Sequence, residues 1–118
     1  MMSESEVQQR IQIEMVKYGC QLMRNNSGGF KDETGRTVFF GLGNTSKQRN
    51  DLIKSSDLIG IMNGRFVAIE VKKEGWKFNP NDRREVAQLA FIDWIKSNNG
   101  LAGFAASVDD ALKIIGVK

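Results

Sequence analysis

Residues 57–72 read DLIGIMNGRFVAIEVK, and this stretch predicts a tight antiparallel hairpin around which the rest of the domain is organised. Asn63 and Gly64 separate two apolar runs, and both residue types tolerate the positive φ of a type I′ turn. Because a two-residue loop fixes the register of the strands that it joins, the pattern places Asp57 opposite Glu70. The hairpin is therefore expected to bring two carboxyl groups together at its open end.

The carboxyl pair needs a compensating positive charge. Directly opposed residues of a hairpin have Cβ atoms about 4.5–5.5 Å apart, and like charges at that distance destabilise the pair. Side chains alternate along a strand, so Lys72 shares a face with Glu70 and supplies one positive charge. A divalent cation would supply the rest, since Mg²⁺ favours one or two carboxylates completed by waters and substrate phosphates.

This geometry predicts a Mg²⁺ or Mn²⁺ site flanked by a lysine. Asp57 and Glu70 would hold the cation, and the backbone carbonyl of Val71 would add a ligand. Such a site suits in-line attack of a metal-activated water on a phosphodiester. Lys72 would orient or deprotonate the water, or stabilise the charge that develops in the transition state.

The competing interpretation is a cross-strand salt-bridge cluster on a solvated face of the sheet. Apolar residues occupy both faces of the hairpin, with Ile61 and Phe66 on one and Val67 and Ile69 on the other. The charged groups at its open end are therefore expected to be partly desolvated. Ionised groups seldom occupy such places without a partner or a function, which favours the functional interpretation.

The remaining segments predict a single α/β domain over residues 1–118 with a central mixed sheet. Glu14 lies inside the apolar stripe of the first helix, seven residues after Val7 and three after Ile11. The predicted order is helix, three strands, helix, strand, helix. Before the hairpin, the patterns predict a capped helix over 3–18, a strand over 20–25, a turn over 26–29, a strand over 36–40 and a loop over 41–56. After the hairpin, they predict a helix over 80–98 that Asn79 caps, a strand over 101–106 and a short helix after Ser107.

The composition restricts the chemistry that the chain can perform. Among its 118 residues there is one cysteine, Cys20, and no histidine. An intrachain disulfide, a Cys-based zinc site, a Ser-His-Asp or Cys-His triad and a His-ligated metal centre are all excluded. Carboxylates, lysine and a hard metal ion remain. A polar N-terminus and the lack of a long apolar run predict a soluble protein of the cytoplasm, in a bacterium or a phage-infected cell, without a membrane partner.

The charge distribution hints at a polyanionic partner. The net charge is only +3, but basic residues are concentrated in two separate stretches, the second of which also contains Trp76 and Phe78. Basic residues with interleaved aromatics suit a phosphate backbone and an unstacked base. A solvated surface and a hydrophobic plug over the sheet are the alternatives. The candidate DNA-binding residues are Lys47, Arg49, Lys54, Lys73, Lys77, Arg83 and Arg84.

Taken together, these motifs resemble the PD-(D/E)XK nuclease superfamily, and more narrowly its VRR-Nuc domains, the virus-type replication-repair nucleases. Ser56 stands where a proline often precedes the family's aspartate, and the loops over 41–56 and 73–81 are longer than the shortest members need. The resemblance spans nearly the whole chain. It is carried by Glu14, MRNNSG at 23–28, SDLIG at 56–60, GRFVAIEVK at 64–72, Gln88 leading into Phe91, and GLAG at 100–103.

The resemblance implies a restriction-endonuclease-like core and assigns roles to several residues. Asp57, Glu70 and Lys72 match the family's catalytic core, and Glu14 matches the carboxylate that completes its metal site. Gln88 matches a glutamine that lies near the catalytic lysine. The early Arg24 and Asn25 match an Arg-Asn pair to which we assign phosphate or structural contacts.

The implied function is a Mg²⁺- or Mn²⁺-dependent, structure-selective DNA endonuclease. Stand-alone domains of this type resemble Holliday junction resolvases, so a homodimer that cuts four-way junctions in DNA repair is expected. The alternatives are a flap, nicking or non-selective DNA nuclease, a non-catalytic nucleic-acid-binding module, and a metal-free interaction protein.

Overall fold

The hairpin lies at the centre of the sheet, in a computed structural model that describes residues 1–117. Its strands are β4 (Leu58–Met62) and β5 (Arg65–Val71), which pair antiparallel from Leu58↔Ile69 to Met62↔Arg65. Asn63 and Gly64 have φ values of 53° and 76°, as a type I′ turn requires. The predicted turn and the predicted register of these pairs are confirmed.

The central sheet is mixed and has the strand order β1-β4-β5-β6. Strand β1 (Met23–Arg24) pairs antiparallel with β4, and β6 (Leu101–Ala105) pairs parallel with β5. The α/β class and the mixed sheet are therefore confirmed. The first strand is shorter than the predicted span of 20–25, because only two of its residues pair with β4.

A separate two-stranded sheet was not predicted. It consists of β2 (Gly28–Lys31) and β3 (Thr37–Phe40), so the turn predicted over 26–29 is wrong at Gly28 and Gly29. The reversal lies further along the chain, where the carboxylate of Asp32 accepts hydrogen bonds from the backbone N–H groups of Thr34 and Arg36 at 2.9 Å each. Five strands precede the helix Arg83–Ser97, whereas the predicted order has three strands before that helix.

The four helices of the described chain begin at polar caps. At the first helix, the side chains of Ser3 and Glu6 form the predicted capping box. The predicted start of the third helix at residue 80 is wrong, because Asp82 rather than Asn79 accepts hydrogen bonds from the first-turn N–H groups. The helices are α1 (Glu4–Val16), α2 (Lys47–Asn50) within the predicted loop, α3 (Arg83–Ser97) and α4 (Val108–Ile114).

Helices cover both faces of the hairpin. On one face, Val67, Ile69 and Val71 pack into a core with apolar residues of α1 and α4. On the other face, Ala68 and Ala102 pack with residues of α3. Glu70 and Lys72 alternate with the first set, so they lie on the α3 side. No helix within residues 1–117 has the length and apolar character needed to cross a membrane.

Candidate functional site

The predicted carboxyl pair lies at the open end of the hairpin. Asp57 directly precedes β4, and its Oδ2 accepts a hydrogen bond from the backbone N–H of Val71 at 3.0 Å. Its own carbonyl accepts a hydrogen bond from the N–H of Asn25 at 2.7 Å. Glu70 is only 4% exposed, and its carboxyl group lies within hydrogen-bonding reach of that of Asp57. The fold therefore brings these two side chains together.

The two carboxyl groups form an electrostatically unfavourable pair. Burial raises the pKa of Glu70 to about 10, and the hydrogen bond and negative charge of Asp57 act in the same direction. The charge of Lys72 opposes this rise in pKa, whereas that of Glu4 adds to it. With its pKa above neutrality, the Glu70 carboxyl group holds a proton at pH 7 and can donate it in a hydrogen bond to Asp57. Carboxylate oxygens are the donors that a hard divalent cation takes, and a cation would compete with that proton.

Lys72 is held in one orientation beside this pair. Its ammonium Nζ donates a hydrogen bond to Oε1 of Gln88 at 2.8 Å, and Gln88 is only 1% exposed. Nζ also lies 5.4 Å from the ring centroid of Trp76 and 5.7 Å from that of Phe104. Cation–π attraction to the two rings and the hydrogen bond to the Gln88 amide together hold the ammonium group in place. The proximity of Gln88 to Lys72, which the resemblance implied, is thus present.

The aromatic residues form a cluster over Lys72. The rings of Trp76 and Phe104 are 4.8 Å apart, and Phe78 lies 5.8 Å from Phe104. The indole Nε1 of Trp76 donates to Oε2 of Glu85 at 3.3 Å, while Oε1 of Glu85 accepts from the N–H of Asn79 at 2.9 Å. Sequence reasoning missed Phe104 and Glu85. The parallel pairing of β6 with β5, which sets Phe104 beside Glu70, was the missing information.

Glu14 is not grouped with this pair. Its Oε2 forms an ion pair with Nζ of Lys17 at 3.0 Å. Across residues 1–117, no three Asp, Glu, Cys or His side chains are close enough together to hold a metal ion. The α1 residue whose charge acts on Glu70 is Glu4, ten residues or about 15 Å earlier along the helix. Glu4 precedes Val7 by three residues, so it belongs to the same stripe as Glu14.

Ser56 is an unsatisfied polar residue next to the site. It is 1% exposed, and its Oγ has no hydrogen-bond partner among the described residues. A buried hydroxyl without a partner carries a desolvation cost of about 1–3 kcal/mol. We therefore expect Ser56→Ala to leave the free energy of unfolding unchanged or to raise it by up to about 1 kcal/mol. Urea unfolding checks this, and a loss of more than about 1 kcal/mol would show that the hydroxyl has a partner.

Asn25 holds the loop that precedes β4. Its Nδ2 donates to the Oγ of Ser55 and the carbonyl of Ser56 at 2.9 Å each, and its Oδ1 accepts from the N–H of Leu42 at 3.2 Å. The side-chain amide of Asn25 therefore makes hydrogen bonds within the protein, which corresponds to the structural contacts that were one of its two expected roles. Arg24, its neighbour, is exposed on β1.

The candidate DNA-binding residues lie in different environments. Nζ of Lys47 pairs with Oδ2 of Asp51 at 3.0 Å, and the guanidinium of Arg49 donates to the carbonyl of Gly43. Lys73 and Lys77 are exposed on the loop that carries Trp76. The remaining three, Lys54, Arg83 and Arg84, line a single concavity of about 290 Å³.

Comparison of the chain with protein-family models, with curated proteins and with solved structures finds no match. The motifs of the sequence and the geometry around Glu70 are therefore the grounds on which a function can be proposed.

Proposed function

We propose that this chain is a divalent-cation-dependent DNA endonuclease that hydrolyses phosphodiester bonds at the open end of the hairpin. The observation that carries the proposal is the buried Glu70 carboxyl group beside Asp57, with the ammonium of Lys72 fixed next to it. Structural ion pairs do not need two carboxyl groups in contact in a desolvated place. A cation site next to a lysine accounts for all three groups.

The residues divide the chemistry between them. Asp57 and Glu70 offer carboxylate oxygens to Mg²⁺ or Mn²⁺, and the carbonyl of Val71 lies next to Glu70 in sequence. The bound cation supplies Lewis acidity and a more acidic water. Lys72 donates a hydrogen bond to a phosphate oxygen on which charge develops, or holds the attacking water. Gln88 and the ring of Trp76 keep that ammonium in place.

The proposed substrate is branched DNA. The motifs resemble VRR-Nuc domains of the PD-(D/E)XK superfamily, and the helix on each face of a mixed sheet is compatible with a restriction-endonuclease-like core. A twofold homodimer would match the symmetry of a four-way junction and present two sites to two strands. Flap cleavage, nicking and non-selective cleavage use the same site and differ in substrate geometry.

Cleavage of labelled synthetic DNA tests the proposal. A four-way junction, a flap and a linear duplex are each incubated with the protein in Mg²⁺, Mn²⁺ or EDTA. We expect paired, symmetric cuts in the junction that require the metal ion and are absent with Asp57→Asn. The matched control is Asp93→Asn, since Asp93 is an exposed carboxylate on α3.

Each alternative gives a different result in the same assay. Metal-dependent cutting of the flap or the duplex alone would keep the site and replace the substrate. Junction binding without cleavage under any metal condition would instead indicate a non-catalytic binding module. Equal cleavage by Asp57→Asn and the wild type would contradict the assignment of the site.

A further inference from the structure

The concavity lined by Lys54, Arg83 and Arg84, here termed the basic concavity, lies at the start of α3, where Arg84 is one helical turn before Gln88. Asn50 and Asp51 complete its lining. The backbone N–H of Lys54 donates to the carbonyl of Ala87 at 3.0 Å, which fixes the loop end against α3 next to Gln88. The cations therefore come from two segments that are hydrogen-bonded together.

These cations have no ionic partner within the described chain. The salt bridges of residues 1–117 involve other basic residues, namely Lys17, Arg36 and Lys47. Asp51, the acid in the lining, is paired with Lys47 at 3.0 Å. Asp82 and Glu85, the acids at the start of α3, accept hydrogen bonds from backbone and indole N–H groups. The local carboxylates are thus already engaged.

Two of the three cations occupy positions that the helix disfavours. Arg83 and Arg84 are the first two residues of α3, where the helix dipole favours negative charge. Asp82 already satisfies the N–H groups of Arg84 and Glu85, so the side chains rather than the helix end are free to act. Departures from local preference of this kind occur where function compensates the cost.

Another cluster of three cations, elsewhere on the surface, shows the opposite arrangement. It consists of Arg65, Lys96 and Lys113, which line a concavity of their own. Lys96 and Lys113 lie in the last turns of α3 and α4, where cations are favourable, and Nε of Arg65 donates to the carbonyl of Asn99 at 2.7 Å. Helix stability explains these charges. Helix stability does not explain the charges of Arg83 and Arg84 in the basic concavity.

We propose that Lys54, Arg83 and Arg84 form a subsite for one phosphate group of the DNA strand, next to the phosphodiester that is cut. This inference rests on the proposed function for its substrate. Arg84 and Gln88 are four residues apart on one face of α3, about 6 Å along its axis. That distance is comparable to the spacing between neighbouring phosphates along one strand, which exceeds the rise per nucleotide along the duplex axis because the phosphates follow the helical backbone. A strand whose scissile phosphate meets Lys72 therefore presents a neighbouring phosphate to the basic concavity.

Salt dependence of DNA binding tests the subsite. Fluorescence anisotropy with a labelled four-way junction and a linear duplex in EDTA gives the slope of log K against log salt concentration. For Lys54→Gln/Arg83→Gln/Arg84→Gln we expect the slope to become less negative by about one, because one neutralised phosphate contributes about 0.9 on duplex DNA. The control Arg65→Gln/Lys96→Gln/Lys113→Gln removes the same charge and should leave the slope unchanged.

Neutral phosphate analogues locate the contact. Single methylphosphonate linkages are placed in turn around the cut position, and one linkage should weaken binding by the wild type but not by the triple variant. The variant should melt no earlier than the wild type, since it loses like charges at a helix start. An unchanged slope, equal effects of both triple variants, or a methylphosphonate effect that persists in the variant would overturn the subsite.

The subsite and the proposed function fail separately. Normal metal-dependent cleavage with an unchanged slope would remove the subsite and leave the nuclease. A reduced slope in a protein that never cleaves DNA would retain the subsite and remove the nuclease.

Discussion

Replacement of Glu70 by glutamine is expected to abolish cleavage and, at the same time, to raise the melting temperature of the metal-free protein. The pKa of Glu70 in the folded state, about 10, exceeds its ordinary value of 4.5. Between these two pH values, folding is therefore accompanied by the uptake of a proton. The stability that this proton provides is fully present below the ordinary pKa. It is lost as the pH rises toward the folded-state value.

Glutamine is neutral at every pH and can still donate a hydrogen bond to Asp57. The advantage of Glu70→Gln in EDTA should therefore grow with pH across that window, to on the order of 1–3 kcal/mol near pH 8. For a domain of this size the gain is roughly 4 °C or more in melting temperature. Mg²⁺ should raise the melting temperature of the wild type and leave that of the variant unchanged, because a ligand stabilises only the state that binds it.

Thermal melts by circular dichroism over a pH series, with EDTA or Mg²⁺, check both effects. Glu33→Gln is the matched control, since Glu33 is exposed in the turn between β2 and β3. A Glu70→Gln variant that melts earlier than the wild type at every pH would contradict the account of the buried pair. Cleavage at the wild-type rate would contradict the metal site itself.

Replacement of Lys72 by alanine is the second large effect. Loss of a fixed donor to the transition state typically lowers the rate by about 10²–10³-fold, and we expect a loss of at least this size. Gln88→Leu removes the acceptor that holds the ammonium and should cost about 10–100-fold, as for other partners that orient a reactive group. DNA affinity should change little in either variant, because Lys72 acts mainly on the developing charge.

Single-turnover cleavage of the preferred substrate measures these rates, with affinity measured separately by anisotropy. Lys113→Ala serves as the control, since Lys113 is exposed on α4. If Lys72→Ala lost affinity and rate in equal proportion, the lysine would be a binding residue. A Gln88→Leu variant slower than Lys72→Ala would assign the chemistry to the amide.

The parts of the site that could be predicted are those that local rules determine. Asn63 and Gly64 specify a type I′ turn, and a two-residue turn fixes which residues face each other. The approach of Asp57 to Glu70 follows from that register alone. The capping of α1 by Ser3 is equally local.

The parts that could not be predicted depend on packing between distant segments. Glu4 and Glu14 both continue the apolar stripe of α1, and only the direction in which α1 crosses the sheet decides which of them approaches Glu70. Similarly, Phe104 lies beside Glu70 because β6 pairs parallel with β5.

Competing local signals caused the remaining differences. Asn79 and Asp82 are both good helix caps, and Pro80 suits a first turn, yet Asp82 caps α3. Strand β2 contains two glycines, which weaken the strand pattern, and it forms through pairing with β3.

A calorimetric titration with Mn²⁺ near neutral pH, on the wild type and on Asp57→Asn in parallel, tests most directly whether the buried pair is a cation site. We predict saturable binding at one site by the wild type and by the Asp93→Asn control, and a loss of that binding in Asp57→Asn. No binding by the wild type, or undiminished binding by Asp57→Asn, would contradict the assignment of Asp57 and Glu70 as metal ligands.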